Sequence, residues 1–282
     1  MAQGCSDAGI CSINHGFQPD EKQHKNTVEI ATIFGSGESD VKYFSPYISY
    51  TKRFNDKLSF TSKVTFSTAN GSFGTRSQFS DAFLIGNYTY KEKNNKQWST
   101  LLGLKFPFTA SNLKINGYSL PLDYQTSLGT IDLFLGTNLH YKKWDFNGAI
   151  QIPIINWNKN SYFKEFAGTD DFPSTNLFER KSDALLRATY SIKTPNNKFI
   201  FKPNVLFIYH FGEDSFENIF GNRESINGSD GLTINGNLII NYRVSKQSSL
   251  EFSLATPFVV RDIRPDGLTR KLVAGILYQY SF

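Results

Sequence analysis

The sequence predicts an all-β protein, a membrane-spanning up-and-down antiparallel β-barrel of about twelve strands. Three observations carry that prediction. Residues 271–282, read at every second position back from Phe282, place Tyr280, Tyr278, Ile276, Ala274 and Leu272 on one face. Ser281, Gln279, Gly275 and Lys271 fall on the other, which is strand periodicity with an apolar side and a wet side. The same alternation recurs from residue 27 onward, mostly in segments close to the roughly 9–11 residues a tilted membrane strand needs. Finally, the connections alternate between long and short.

The segments follow in order. Residues 27–34 align Val28, Ile30, Thr32 and Phe34. Residues 42–54 set Phe44, Ile48, Tyr50 and Phe54 against Tyr47, Ser49, Thr51 and Arg53. In 58–67, Leu58, Phe60, Val64 and Phe66 oppose Ser59, Thr61, Lys63 and Thr65. Residues 81–91 alternate Leu84, Tyr88 and Tyr90 with Asn87, Thr89 and Lys91. Residues 98–108 place Trp98, Leu102, Leu104 and Phe106 opposite Ser99, Gly103 and Lys105. In 130–142, Ile131, Leu133, Leu135 and Leu139 face away from Asp132, Asn138 and His140. Residues 144–154 carry Phe146, Ile150 and Ile152 against Asp145, Asn147 and Gln151. Residues 183–193 carry Leu186, Ala188 and Tyr190 against Arg187, Thr189 and Lys193. In 199–211, Phe199, Phe201, Val205, Phe207 and Tyr209 oppose Lys202, Asn204 and His210. Residues 232–244 set Ile234, Leu238, Ile240 and Tyr242 against Asn235, Asn237, Asn241 and Arg243. Residues 250–260 set Leu250, Phe252, Leu254 and Phe258 against Glu251 and Ser253, and 271–282 close the series.

A soluble sandwich also alternates, so the connections decide. Those at 69–80, 109–125, 156–182, 212–231 and 262–269 are long, and 35–40 is short but Gly-rich. The intervening ones are tight turns built from Asn55-Asp56, Asn94-Asn95, Pro195-Asn196-Asn197 and similar pairs. Short periplasmic turns and long outer loops mark a barrel in an asymmetric membrane. Closure also removes strand edges that lipid could not satisfy.

Composition fits this reading. Hydrophobic residues make up 39% of 282 and the mean hydropathy is −0.35, yet an alternating barrel averages to a polar composition. No run approaches the ~18 apolar residues of a spanning helix. Aromatics make up 15%, with 26 Phe and 14 Tyr, which favours strands and interfacial girdles. The net charge is +5, but the bases are scattered singly, which argues against a nucleic-acid partner. The expected surroundings are outer-membrane lipid and lipopolysaccharide, small solutes and other envelope proteins.

Residues 1–25 are expected to form a periplasmic tail or a plug, with the barrel over 26–282. No charged and apolar leader opens the sequence, which is read as an export signal replaced by an initiator Met. The two cysteines, Cys5 and Cys11, are expected to close a small disulfide loop. Only His15 lies near them, too few ligands for a metal site. Asp170-Asp171 and Glu213-Asp214 are read as solvated loop acids rather than a calcium site. No metal and no cofactor are expected.

If the apolar faces meet lipid, the opposite faces line a lumen. Arg53, Lys63, Lys105, Asp132, His140, Arg187, Lys202, His210, Arg243 and Glu251 are the candidate lumen and solute-binding residues. Lys91, Lys142, Lys193, Arg261 and Lys271 add further bases, and Glu29, Asp81 and Asp145 further acids. Bases outnumber acids, so the lumen should attract anions. Tyr43, Phe83, Phe134, Leu206 and Ile208 also point inward, either lining an apolar route or packing against an inward-folded loop. No serine-centred motif flanks His140 or His210, so catalysis is not expected. Gly71-Ser72-Phe73-Gly74 lies between two strands and reads as a turn rather than a phosphate loop.

Residues 101–109, with Gly103, Lys105, Pro107 and Thr109, and residues 124–136, with Leu128-Gly129-Thr130 and Asp132, resemble a family of transporter-like outer-membrane barrels associated with phenol degradation. That family places a second Gly after the Thr, where this chain has Ile131. The resemblance implies a channel or transporter, more distantly like the fatty-acid and aromatic-hydrocarbon transporters. The function expected is passive passage of small anionic or amphipathic solutes, with loops 156–182 and 212–231 as gates. The alternative is a closed structural or accessory barrel in an envelope assembly.

Overall fold

The computed structural model describes residues 25–266 and 270–282. Its twelve barrel strands are β1 (Asn26–Gly37), β2 (Lys42–Arg53), β3 (Leu58–Gly71), β4 (Gly74–Thr89), β5 (Lys96–Pro107) and β6 (Thr130–Tyr141). They continue as β7 (Trp144–Asn156), β8 (Asp183–Tyr190), β9 (Phe199–His210), β10 (Gly231–Arg243), β11 (Ser248–Val259) and β12 (Arg270–Ser281). Each strand pairs antiparallel with its sequence neighbours. β1 then pairs with β12, Ile30 opposite Tyr278, and the barrel is closed. The ends are tied as Asn26 N–H donates to the Phe282 carbonyl at 2.9 Å and Phe282 N–H to the Asn26 carbonyl at 2.8 Å.

The exterior repeats the sequence pattern. Ile30, Ile48, Leu84, Leu102, Leu135, Ile150, Leu186, Leu238, Phe252 and Ile276 project outward and are exposed. Aromatic pairs flank this aliphatic belt on both sides. Near the short turns lie Trp144–Tyr190 (centroids 4.8 Å), Phe199–Tyr242 (4.8 Å) and Tyr280–Phe282 (5.8 Å). Near the long loops lie Phe34–Phe44 (5.3 Å) and Phe79–Phe108 (5.9 Å). An apolar band between two aromatic girdles is the solvent-facing signature of a bilayer, with ring edges at headgroup level. The short turns carry the positive φ angles they need at Asn94 (54°), Asn95 (57°), Lys142 (58°) and Asn197 (53°).

Two expectations are corrected. The connection read as a loop over 69–80 is largely strand: β3 and β4 run on to a turn at Ser72–Phe73. Residues 74–80 lack apolar alternation, and a hairpin beyond the lipid has no need of an oily face. The eighth segment stops at Tyr190 and resumes only over Ile192–Lys193.

Candidate functional site

The barrel interior has two tiers. The tier toward the short turns is lined by polar side chains bonded across strands. Ser49 donates to Glu29 at 2.7 Å, Asn241 Nδ2 to Glu251 at 2.6 Å, and Asn237 Nδ2 to Asn204 at 2.8 Å. The ammonium of Lys63 lies 4.0 Å from the Tyr47 ring centroid and 5.4 Å from that of Phe83. Arg187 is buried in the same wall, and Lys202 is half-buried near the short-turn end of β9. His140 Nδ1 pairs with Asp145 at 2.8 Å. One side of the bore is apolar: Phe83, Ile85, Leu101, Phe134, Leu185, Leu206 and Ile208 pack together.

The outer tier is filled by the chain's own loops. Residues 120–129 are buried without a break, although they belong to a connection and not a strand. They seat by specific bonds from the wall. Arg76 Nη2 donates to the Gln125 carbonyl at 2.6 Å, the Ser80 hydroxyl to the Thr126 carbonyl, and Ser127 Oγ to Asp81 at 2.6 Å. The Gln125 amide closes the loop on itself, donating to the carbonyls of Leu113 (3.1 Å) and Leu120 (3.0 Å). Asn160 Nδ2, from the next long loop, donates to the Ser111 and Leu120 carbonyls, each at 3.0 Å. Tyr43 packs in this tier with Leu120, Tyr124, Tyr162 and Phe172.

A buried ionic chain ties that second loop and two further ones to the rim. Arg180 pairs with Asp183, whose other oxygen meets His210 Nδ1 at 2.5 Å. His210 Nε2 meets Asp214 at 2.8 Å. Arg261 bonds Asp266 at 3.1 Å, and Arg180 Nε lies 3.8 Å from that same carboxylate. Burial pushes the Asp214 carboxyl above its ordinary range, against the pull of His210. Both ring nitrogens of His210 face carboxylates, which leaves neither to activate a serine.

The sequence-predicted residues therefore separate. Lys63, Arg187, Lys202 and Glu251 line the inner tier. Lys105 and Asp132 form a buried pair at 2.7 Å below the plug, and His210 joins the rim network. Arg53 is half-buried at the end of β2, and Arg243 is exposed at the end of β10. Lys91, Lys142 and Lys193 are exposed at the short-turn rim, and Arg261 is buried in a loop. Cys5 and Cys11, with the expected tail, lie outside the described residues, as does the side chain of Lys271. Sequence reading missed Arg76, Gln125, Ser127, Asn160 and Arg180. A run of small polar residues flanked by Leu and Tyr was the signal for 119–130, and it has no periodicity to betray burial.

The residues that carried the resemblance meet in space. Lys105 donates to Thr130 Oγ1 at 3.2 Å beside its pair with Asp132. Gly129 has φ +72°, and a Cβ there would lie 3.1 Å from both Ala110 C and Asn158 Cα. The motif thus fixes where the plug loop re-enters the wall.

No known family profile matches the sequence, and no curated protein matches it. Among solved structures the chain is similar to an outer-membrane channel from Pseudomonas putida F1, at 15% identity over 94% of this chain and 99% of that one, with a TM-score of 0.63. It is also similar to the translocator domain of the autotransporter NalP from Neisseria meningitidis, at 8% identity over 97% and 93%, with a TM-score of 0.51. These likenesses are of fold. Together with the oily belt and its girdles, they make this chain a bacterial outer-membrane β-barrel.

Proposed function

We propose that the barrel is a channel for small anionic or amphipathic solutes, closed here by its own outer loops. One observation carries the reading. The plug is a loop that joins the wall at its two ends and is otherwise held in it largely by side-chain bonds, above an inner tier whose wall is polar on one side. Such a plug can leave without unfolding the barrel, whereas a wall packed shut by its own strands could not open. Lys63, Arg187 and Lys202, set against Glu29 and Glu251, leave the inner tier a small positive bias that favours anions. The apolar side from Phe83 to Ile208 offers a surface to the body of an amphipathic solute.

Planar-bilayer recording tests the proposal. The protein should give discrete openings with anion preference, and the Arg187→Gln/Lys202→Gln double variant should lose much of that preference. Cation preference in the parent would overturn the selectivity. Absence of openings both in the parent and in a variant with a loosened plug would return the protein to the class of closed structural barrels.

A further inference from the structure

The short-turn end of the chain, the periplasmic end in outer-membrane barrels, is strongly basic. With the strand ends beside it, each of the five short turns carries two or three exposed bases. Lys91, Lys93 and Lys96 surround the β4–β5 turn, and Lys142 and Lys143 make the β6–β7 turn. Among the described residues, Asp56 and Glu92 are the only exposed acidic side chains at this end. The long-loop end differs. Its exposed acids, Asp170, Asp171 and Glu224 among them, are at least as numerous as its exposed bases among the described residues. The charge therefore belongs to one rim and is not the general basicity of the chain.

Two features define the partner. The bases encircle the barrel and do not collect in one sector. A docked protein would touch one sector of the rim, whereas lipid headgroups surround it. Lysines also rise from the lipid-facing side of the wall. Lys52 alternates with Ile48 and Tyr50, and Lys96 lies opposite Tyr141 across β5–β6, so both leave the wall on its oily face. Their ammoniums stop beside aromatic rings. That of Lys52 is 5.7 Å from the Phe54 centroid, and those of Lys96 and Lys142 are 5.6 and 5.2 Å from that of Tyr141. A lysine stem laid along apolar surface carries its charge out to headgroup depth, where lipid phosphates lie. Among the described residues none of the three is in an ion pair.

We propose that this rim binds anionic phospholipid headgroups of the periplasmic leaflet, holding a selective annulus of lipids such as phosphatidylglycerol around the barrel. Each base near an anionic lipid surface adds attraction that salt screens, and a zwitterionic headgroup has no net charge to answer it. The proposal does not depend on the channel reading. The chain carries its own reporters. Trp98 is two residues from Lys96 on the same face, Trp144 follows Lys143, and Trp157 stands at the opposite end; all three are exposed. Trp157→Phe keeps the two rim reporters, and Trp98→Phe/Trp144→Phe keeps Trp157. Each full-length variant would be reconstituted into phosphatidylcholine vesicles, and quenching by brominated phosphatidylglycerol compared with quenching by brominated phosphatidylcholine. The rim reporters should show phosphatidylglycerol favoured about threefold at low salt, falling to parity near about 1 M salt. Trp157 should show parity throughout. Adding Lys52→Gln, Lys96→Gln and Lys142→Gln to the Trp157→Phe chain should bring its ratio close to parity. Parity at the rim reporters of the chain with its lysines intact, an equal preference at Trp157, or a ratio unmoved by the three substitutions would overturn the proposal. So would parity accompanied by salt-sensitive co-sedimentation with purified peptidoglycan, which would assign the rim to the cell wall.

Discussion

At the scale of single residues, the informative groups are charges taken out of water. Lys105 and Asp132 are both nearly fully buried, and their pair is completed by Thr130 and Gln151. Breaking a buried pair strands the survivor, which typically costs about 3–5 kcal/mol. Lys105→Met should therefore lower stability by roughly that amount in denaturant-driven unfolding from micelles. Lys105→Met/Asp132→Leu should lose less, because no lone charge remains. Asp123 sits buried in the plug. Burial raises its carboxyl to about 7 from the ordinary 3.8, the Asp266 charge adding to the effect and its own backbone N–H opposing it. Between those two values the seated loop holds a proton that the released loop lacks. Seating is therefore strongest in acid, weakens as pH climbs through that window, and bears the full penalty above about 7. Protection of 120–128 against hydrogen exchange, taken relative to the intrinsic base-catalysed rate at each pH, should be lower at pH 8 than at pH 5 in the parent, and Asp123→Asn should flatten the difference. Protection independent of pH in the parent would show that Asp123 is solvated in solution.

At the scale of elements, the barrel strands were legible and the plug was not, for one physical reason. A strand between lipid and lumen must alternate, so residues such as Leu238, Asn237 and Ile240 announce their faces in the sequence. A loop folded into a bore is covered on all sides by other parts of the same chain, and nothing imposes a period on it. Residues 120–129 thus read as ordinary connection while being buried throughout. The β3–β4 extension failed for a related reason: beyond the lipid, Arg76 and Ser80 face the plug and Gln78 has no oily partner to match. Gly71 shows how tightly these elements fit. A Cβ there would collide with the Tyr124 hydroxyl, which accepts the Phe73 N–H at 3.2 Å. Tyr124 is fully buried and cannot swing aside. Gly71→Val should consequently expel the β5–β6 loop while leaving the strand ladder intact. The readout is a larger open probability in bilayers together with unchanged heat-modifiable mobility on gels. A variant that kept parental conductance would show that Tyr124 does not hold the plug.

At the scale of the whole molecule, the two faces of one strand meet two different solvents, and this is the property on which both fold and function depend. Leu238 and Asn237 are adjacent in β10, lie near its middle, and pair with Leu254 and Ala255 on β11. Leu238 points into the aliphatic belt between the girdles, and Asn237 bonds Asn204 within the bore. A lysine on the lipid face near the midplane costs about 2–4 kcal/mol, whereas a lumenal one keeps access to polar partners. Leu238→Lys should lower the folding free energy in liposomes by that amount, and Asn237→Lys should cost well under half as much. Asn237→Lys should instead shift the bilayer reversal potential toward stronger anion preference, since its charge joins those of Lys202 and Arg187. Equal destabilisation by the two substitutions would mean that both faces see the same medium. A soluble β-sandwich would rank the two substitutions the same way, because its oily face packs a protein interior and its polar face meets water, so the shift in reversal potential is what separates the two folds. The pair of substitutions therefore tests the two-sided wall through stability, and the membrane barrel with the sign of its bore through reversal potential, each variant serving as the control for its neighbour.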